Sequence, residues 1–549
     1  MENQMEVNRR KFLTYVGSGM AALAVASTGL PVLAKAKADP VPGKAPRQEW
    51  FQLPEKKGVR FTPILPTDAD ELVLPQGYTY DVIAAYGDRI NKAGDTFGFN
   101  NDFTCYIPLQ GSNTHGLLWV NHEYSSEIFV HGKKENGSYT KKQIEQLLYV
   151  QGGSIIEVKQ VDGKWKMITD SRYNRRITGL TPFQLTGAAK GSRAVNGATT
   201  VQGTFANCSG GITLWNTILS CEENFEYTAR DAALDPTHYG WVIEVDPFDS
   251  QFAVRKHTAL GRFNHENTAM GLSKDGRIVV YMGDDKTGAC VYKFVSKGKY
   301  DAAKDRENSR LLEEGTLYAA DMSKGAWIPI TVEAVRKKAT EKKNEEMLAK
   351  FTSQADVLVH VHEAAIFLGA TPTDRPEDVE IHPDDHSLYI AHTNNSKHGN
   401  IHGHITRFIE TDHDLGALTF DFEIFAAGGR QSGFSAPDNL TFDGENNLWT
   451  VTDISSSKLN KGVYQSFMNN GVFVIPTSGE RMGDAFQFAS APVEAELTGP
   501  WFTPDEKTLF LAVQHPGEET KDPAQPTSKW PHRPGDHIPR PAVVAIRGF

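Results

Sequence analysis

The chain has 549 residues, 39% apolar and 23% charged, with 48 glycines, four cysteines and a formal net charge of −11. This composition predicts a globular protein with a sizeable core and many tight turns. The acidic balance leaves no basic footprint, so nucleic acid is excluded as an expected partner, while a site in which carboxylates gather cations becomes plausible.

The N-terminus reads as a targeting segment. Residues 8–13 are NRRKFL, a twin arginine, followed by a weakly apolar stretch over 16–33 and small-residue cleavage candidates at Ala34, Ala36 and Ala38. This pattern predicts a twin-arginine export signal over 1–38, and the apolar stretch is too short and too weakly hydrophobic for a membrane anchor. A Pro-rich linker is expected over 39–60 and a single domain over 61–549, with no membrane-embedded segment. The expected location is the periplasm or the cell exterior, with the twin-arginine translocation machinery as a partner.

Beyond the linker, six apolar runs end in polar or metal-capable residues: GLLWVNHE from Gly116, ITLWNTILSCEE from Ile212, RIVVYMGDD from Arg277, SLYIAHTNN from Ser387, NLWTVTD from Asn447 and TLFLAVQH from Thr508. Several of these recur at a step of about sixty residues, compatible with a four-stranded blade carrying loop insertions. The last four runs follow a shorter strand, FNHENTAM, RPEDVEIH, APDNLTFD or LTGPWFTP, and each pair turns through a Gly, Asp, Asn or Pro cluster. The expected fold is all-β, a six-bladed β-propeller with short helical insertions. One insertion, near 332–368, carries a polar helix over 332–351 and a second over 353–368, opened by Ser353 and Asp356 in a capping-box arrangement. The second helix leads straight into GATPTDRPED, so its expected role is to fix where Arg375 and Glu377 point.

Four cysteines are too few for a disulfide scaffold. Cys208 and Cys221 flank one hairpin and could pair, or Cys221, in SCEEN, could be a thiolate ligand, since a thiolate beside Glu222 and Glu223 needs a cation among them. Glu123, Glu266, Glu377 and Asp438 stand at equivalent strand ends, where a propeller would let hard oxygen ligands from several blades meet and bind a cation such as calcium or ferric iron. Arg375, two residues before Glu377, is either a phosphate or carboxylate binder or a salt-bridge partner of Asp374 or Asp378. His382, His392, His398 and His402 lack a metal-ligand spacing and are read as supporting residues.

These residues lie in segments that resemble the PhoX-type alkaline phosphatases. The matching stretches are LPQGYTYDVIAAYGD from Leu74, NCSGGITLWNTILSCEENF from Asn207, GWVIEVDPFD from Gly240, GRFNHE from Gly261, GATPTDRPED from Gly369, FSAPDNLTFD from Phe434 and the tail SKWPHRPGDHIPRPAVVAIRGF from Ser528. The resemblance runs from about residue 70 to the C-terminus. It implies a six-bladed propeller with a cofactor of Ca2+ and Fe3+ that hydrolyses phosphomonoesters to inorganic phosphate. It also implies Cys221, Glu266 and Glu377 as iron-site ligands, Glu123, Glu222 and Asp438 as calcium or iron ligands, and Arg375 as phosphate binder. Arg375, Glu377 and Cys221 are then the expected catalytic set, with Asn207 beside Arg375 at the substrate. The competing expectations are a propeller hydrolase of another class, acting on phosphodiesters, phosphotriesters or lactones, and a non-catalytic calcium-binding propeller.

Overall fold

The structure is a computed structural model that describes residues 59–549. The signal expected over 1–38, and all but the last two residues of the linker expected over 39–60, lie outside the described residues. Among the described residues no helix is long and apolar enough to cross a membrane.

The strands form six separate sheets, all antiparallel apart from one parallel pair. Each sheet begins with a short inner strand: Asn101–Pro108 in sheet I, Asn207–Ile212 in II, Ala269–Leu272 in III, Pro376–Ile381 in IV, Pro437–Phe442 in V and Glu496–Phe502 in VI. A second strand pairs with each: His115–His122, Ile218–Glu222, Arg277–Gly283, Leu388–His392, Leu448–Thr452 and Thr508–Gln514. These second strands are the six apolar runs of the sequence. Sheet VI joins both ends of the domain, because Thr79–Ala85 pairs with the last strand, Ala542–Arg547.

The apolar residues explain why these runs lack in-out alternation. Each sheet is buried on both faces against two neighbours, so successive side chains both need apolar surroundings. Trp119 and Ile155 of sheet I pack with Ile218 and Trp241 of II, Leu219 of II with Val280 of III, and Val279 of III with Val379 and Ile390 of IV. Tyr389 then packs with Leu448 of V, Val451 of V with Leu511 of VI, and Phe510 of VI with Leu118 back in sheet I. The inner strands touch in the same order, and that of sheet VI touches that of sheet I. The architecture is mostly β and propeller-like.

The insertion near 332–368 differs from expectation in one respect. The capping box of Ser353 and Asp356 is present, but the segment forms two helices, Gln354–Val359 and Val361–Leu368, broken at His360. Arg262 accounts for the break: its backbone N–H donates to Leu358 O at 2.9 Å and its side chain to Val359 O at 3.4 Å, so those carbonyls are captured before the helix can continue. The polar segment before it likewise divides into Val332–Glu341 and Glu345–Lys350.

Candidate functional site

A repeated backbone device delivers the site residues. Asn100, Ala206, Arg375, Ala436 and Glu494 are left-handed, with φ of 42°, 53°, 56°, 56° and 62°. Each stands two residues before an acidic or thiol side chain: Asp102, Cys208, Glu377, Asp438 and Glu496. Left-handed backbone at a residue with a Cβ is strained and turns the chain sharply as it enters the strand. Just beyond the turn the ladder slips, between residues 101 and 104, 207 and 210, 376 and 379, and 437 and 440, whereas Glu496 pairs in register with Gln514 and its ladder slips only further on, between 498 and 501. Turn and bulge together re-aim the side chain at the strand entrance. Sheet III reaches the same end differently, through an irregular segment in which His265 bridges to Asp284 and Glu266 follows.

The second strand of each hairpin supplies another polar group at this end. Glu123, Glu223, Asp285, Thr393, Asp453 and Gln514 occupy these places. The residue before the acid faces elsewhere, as strand alternation requires. Thus His122 packs edge-on against Phe97 and hydrogen-bonds Ser154, Glu222 pairs with Lys256, and Asp284 lies against His362.

Three overlapping groups of candidate ligand atoms result: Asp102, Glu123 and Cys208; Cys208, Glu223 and Glu266; and Glu266, Glu377 and Asp438, each with its atoms within 4.8 Å of one another. Cys208 Sγ lies 3.2 Å from Glu266 Oε1 and 3.6 Å from Asp102 Oδ2. Gln514 donates to Asp102 at 2.6 Å and to Glu123 at 2.7 Å, Thr393 Oγ1 to Glu377 at 2.6 Å, and Asn439 to Asp438 at 3.1 Å. Arg375 forks onto Asp285 at 2.8 and 2.7 Å, reaches Glu377 at 2.8 Å and lies 3.5 Å from Asp453.

Burial and mutual repulsion make this cluster a strong trap for positive charge. Desolvation first, and neighbouring carboxylates second, push Glu223, Glu266, Asp438 and Glu496 well above the ordinary carboxylate range. Desolvation pushes Glu123 to about 7 and the Cys208 thiol well up. Burial works against the Arg375 charge too, but Asp285, Glu377 and Asp453 outweigh it and raise its pKa. One guanidinium does not balance so many carboxylates, and Asp102 Oδ1 and Glu266 Oε2 are buried with no hydrogen-bond partner. Orphaned carboxylate oxygens, one thiol and uncompensated negative charge fit multivalent cations, predominantly of the hard, oxygen-seeking kind.

The structure brings Glu123, Glu266, Glu377, Asp438 and Arg375 together and places the other expected site residues elsewhere. Cys221 lies in the apolar layer between sheets II and III, with Leu219, Met282 and Cys290. The thiol in the cluster is Cys208, at the left-handed entrance of the preceding strand. All four cysteines are free, so Cys208 and Cys221 do not pair. Glu222 accepts from Lys256 at 2.5 Å and from the backbone N–H groups of Gly240 and Trp241, a complete set without a metal. Asn207 donates to Thr204 and Ser220, both at 2.9 Å, and braces the entrance of its strand instead of facing the cluster. Arg375 pairs with neither Asp374 nor Asp378: Asp374 accepts from Asn395, Asn400 and His398, and Asp378 from Asn267 and Leu440. Sequence reasoning missed Asp102, Cys208, Glu223, Asp285, Asp453 and Glu496. The signal for Glu223, Asp285 and Asp453 was present, since each is the last acid of an apolar run. For Asp102 and Cys208 there was none, because a left-handed alanine or asparagine leaves no mark in the sequence.

The family model described as alkaline phosphatase PhoX matches residues 59–517. A search of curated protein sequences found no match. Among solved structures, Pseudomonas fluorescens PhoX, in complex with vanadate, a transition state analogue, superposes with a TM-score of 0.78 at 31% identity, covering 89% of this chain and 97% of that one. A gluconolactonase from Xanthomonas campestris matches at 12% identity and a TM-score of 0.35, covering 89% of this chain and 98% of that one. A sialidase from Streptococcus pneumoniae matches at 9% and 0.31, covering 84% and 72%. Scores this low carry no argument. With the family matched over most of its length and the acidic, arginine-flanked cluster at its centre, the chain belongs to the PhoX alkaline phosphatase family and is a phosphatase.

Proposed function

We propose that the enzyme hydrolyses phosphomonoesters at the acidic cluster, with Ca2+ and Fe3+ as its cations, after export by the twin-arginine route. The observation that carries this reading is the buried set of Asp102, Glu123, Cys208, Glu223, Glu266, Glu377 and Asp438 with Arg375 at its edge. The hard oxygens suit calcium, and the thiol favours a transition metal at the Cys208 side of the cluster. Cations held there supply Lewis acidity toward phosphoryl oxygens and an attacking water.

The chain's own groups set the geometry. Arg375 is one-quarter exposed, so its guanidinium can meet a ligand while Asp285 holds its far edge. A planar fork matches two non-bridging oxygens of a phosphate, and its charge counts for more as they gather charge in the transition state. Thr393, Gln514 and Asn439 fix the rotamers of Glu377, Asp102, Glu123 and Asp438, so the ligands need no reordering when cations enter. The Pseudomonas fluorescens relative in complex with vanadate, a transition state analogue, supports phosphoryl transfer as the reaction. The six sheets, their cyclic order of neighbours and the six apolar layers between them support a six-bladed propeller, and the NRRKFL segment supports export to the periplasm or beyond.

Element-resolved metal content of the exported protein, with p-nitrophenyl phosphate and bis-p-nitrophenyl phosphate assays before and after chelation, tests the reading. Iron together with calcium, and a monoester preference abolished by chelation, are expected. Calcium without iron, or turnover that survives complete chelation, overturns it.

A further inference from the structure

Arg375 stands on left-handed backbone, φ 56°, where the chain passes from the insertion helix Val361–Leu368 into the inner strand of sheet IV. A conformation of this kind lasts only where its neighbours over-determine it. From sheet III, Gly288 N–H donates to Thr373 O at 2.9 Å, and Ala289 O accepts from the Thr373 N–H at 2.7 Å and from its hydroxyl at 2.8 Å. From sheet IV, Thr393 N–H donates to Arg375 O at 3.1 Å. Between these stitches lies Asp374, whose carboxylate accepts three bonds from one loop. Its Oδ1 accepts from Asn395 at 2.7 Å and from His398 Nδ1 at 2.8 Å, and its Oδ2 from Asn400 at 3.0 Å. That loop closes without Asp374. Asn395 and Asn400 exchange backbone hydrogen bonds at 2.6 and 3.0 Å, and the Asn395 side chain accepts from Lys397 N–H. The Asn400 amide also donates to His404 Nδ1 at 2.9 Å, which fixes its own direction against the sheet. A closed turn that spends three side-chain donors on one carboxylate holds that carboxylate in place.

We propose that Asp374 is a positioning residue for the phosphatase reaction: anchored by Asn395, His398 and Asn400, it sets the direction in which Arg375 presents its guanidinium. This role rests on the reading of Arg375 as the phosphate-binding fork. The fork takes its other bearing from Asp285, which holds Nε at 2.8 Å and Nη2 at 2.7 Å. Asp285 and the Gly288 and Ala289 groups that stitch Thr373 lie on one hairpin connection of sheet III, so that sheet orients both the backbone and the guanidinium. Asp374 ties the same backbone to sheet IV, whose inner strand carries Glu377. A fork aimed by two sheets meets phosphate oxygens without first giving up rotamer freedom, and a small error in its aim costs both binding and rate. Asp374 acts through Arg375 and not on the phosphate.

The test is a double-mutant cycle of Asp374→Asn and Arg375→Lys in the metal-loaded enzyme. Asparagine keeps the shape of the side chain but turns one acceptor into an N–H group that faces the donors of the loop. Asp374→Asn alone should lower kcat/KM for p-nitrophenyl phosphate about tenfold, chiefly through KM, and weaken competitive inhibition by inorganic phosphate by the same factor, with metal content equal to wild type. In the Arg375→Lys background, where no fork remains to be aimed, the same change should cost less than about twofold. An equal loss in both backgrounds, no loss in either, or a loss that tracks missing metal would overturn the proposal. His398→Ala removes a donor whose side chain is 44% exposed, so the fold tolerates it, and it serves should Asp374→Asn not fold. It should show a smaller loss of the same kind, again absent beside Arg375→Lys, and an equal loss in both backgrounds counts against the role. Failure of the phosphate-binding reading is distinct: Arg375→Lys by itself would then leave kcat/KM and phosphate inhibition unchanged.

Discussion

Glu222, Glu244 and Glu410 are as deeply buried as Glu266, Glu377 and Asp438, yet the two sets have opposite surroundings. Each of the first three has a basic side chain built for it: Lys256 at 2.5 Å, His257 at 2.9 Å and Lys293 at 2.9 Å. The cluster carboxylates have Arg375 and, for Glu496, His515 at 3.3 Å. A buried charge must be compensated, because desolvation alone costs several kcal/mol per ion. Where the chain supplies the counter-charge, the carboxylate is structural. Where it withholds it, the carboxylates and Cys208 form groups that could hold metal ions.

The sharpest way to break this contrast is to exchange members of the two sets. Cys208→Ser and Glu266→Gln should lose metal and lower kcat by ~10^3 while the protein stays folded, whereas Cys221→Ala should keep metal and turnover and lose about 1–2 kcal/mol of stability to a small cavity. Metal content, kcat and urea midpoints check this, and metal loss in Cys221→Ala would reverse the assignment. Lys256→Met, which strands Glu222, should destabilise by about 3–5 kcal/mol, and the double variant Lys256→Met, Glu222→Leu should recover most of that. A double variant as unstable as the single one would show that the buried N–H groups of Gly240 and Trp241, left without Glu222, cost as much as the stranded charge. Arg375→Lys keeps the charge but loses the fork, so kcat/KM for a phosphomonoester should fall by ~10^2.

The pH response should have opposite signs at Glu123 of the cluster and at Glu244 of the paired set. In metal-depleted protein, burial raises Glu123 to about 7, above its ordinary value, so its contribution is full at low pH and is lost as pH rises through about 7. Urea midpoints of the depleted protein should therefore fall between about pH 4.5 and pH 7, while the loaded protein, whose cations hold the carboxylates ionised, should show only the smaller part of that loss that comes from Glu410, which burial pushes to about 7. Glu244 runs the other way. Burial opposes its charge, but His257, Ser309 and Thr217 lower it to about 2, so its contribution is present at neutral pH and is lost as pH falls toward 2. A depleted protein whose stability is flat between about pH 4.5 and pH 7 would mean that the cluster carboxylates are compensated by something within the chain. The smallest effect expected is at the strained entrances. Ala436→Gly should change stability by no more than about 0.5–1 kcal/mol, because relief at φ 56° offsets the added chain entropy, while Ala436→Val should destabilise by more. Thermal melts of the pair check this.

Much of the fold was legible because strand burial leaves a coarse mark. Apolar runs such as RIVVYMG and TLFLAVQ are continuous since both faces of each sheet are covered, and the turns between paired strands carry their own Gly and Asp signals. The acidic tips were also visible, but which acid of a pair enters the cluster depends on the pleat. In SCEE it is Glu223 that enters and Glu222 that turns back to Lys256, and no pattern within those four letters distinguishes them. Lys256 is 34 residues from Glu222 in sequence, on a strand two away in the sheet. Likewise Cys208 and Cys221 are both thiols at hairpin ends. Only the left-handed turn at Ala206 puts Cys208 3.2 Å from Glu266, while Cys221 points into the layer against sheet III.

By itself, then, the sequence determined the kind of architecture and the chemistry of its polar end: strand hairpins buried on two faces, tipped with oxygen and sulfur ligands and too acidic to bind anions without help. The tertiary structure decided which of those ligands meet. The physical reason is that a strand's face alternates with every residue and its register shifts at a single bulge. A one-residue change in either moves a side chain from the metal cluster to the apolar layer, and those choices are made by contacts between sheets that lie far apart along the chain.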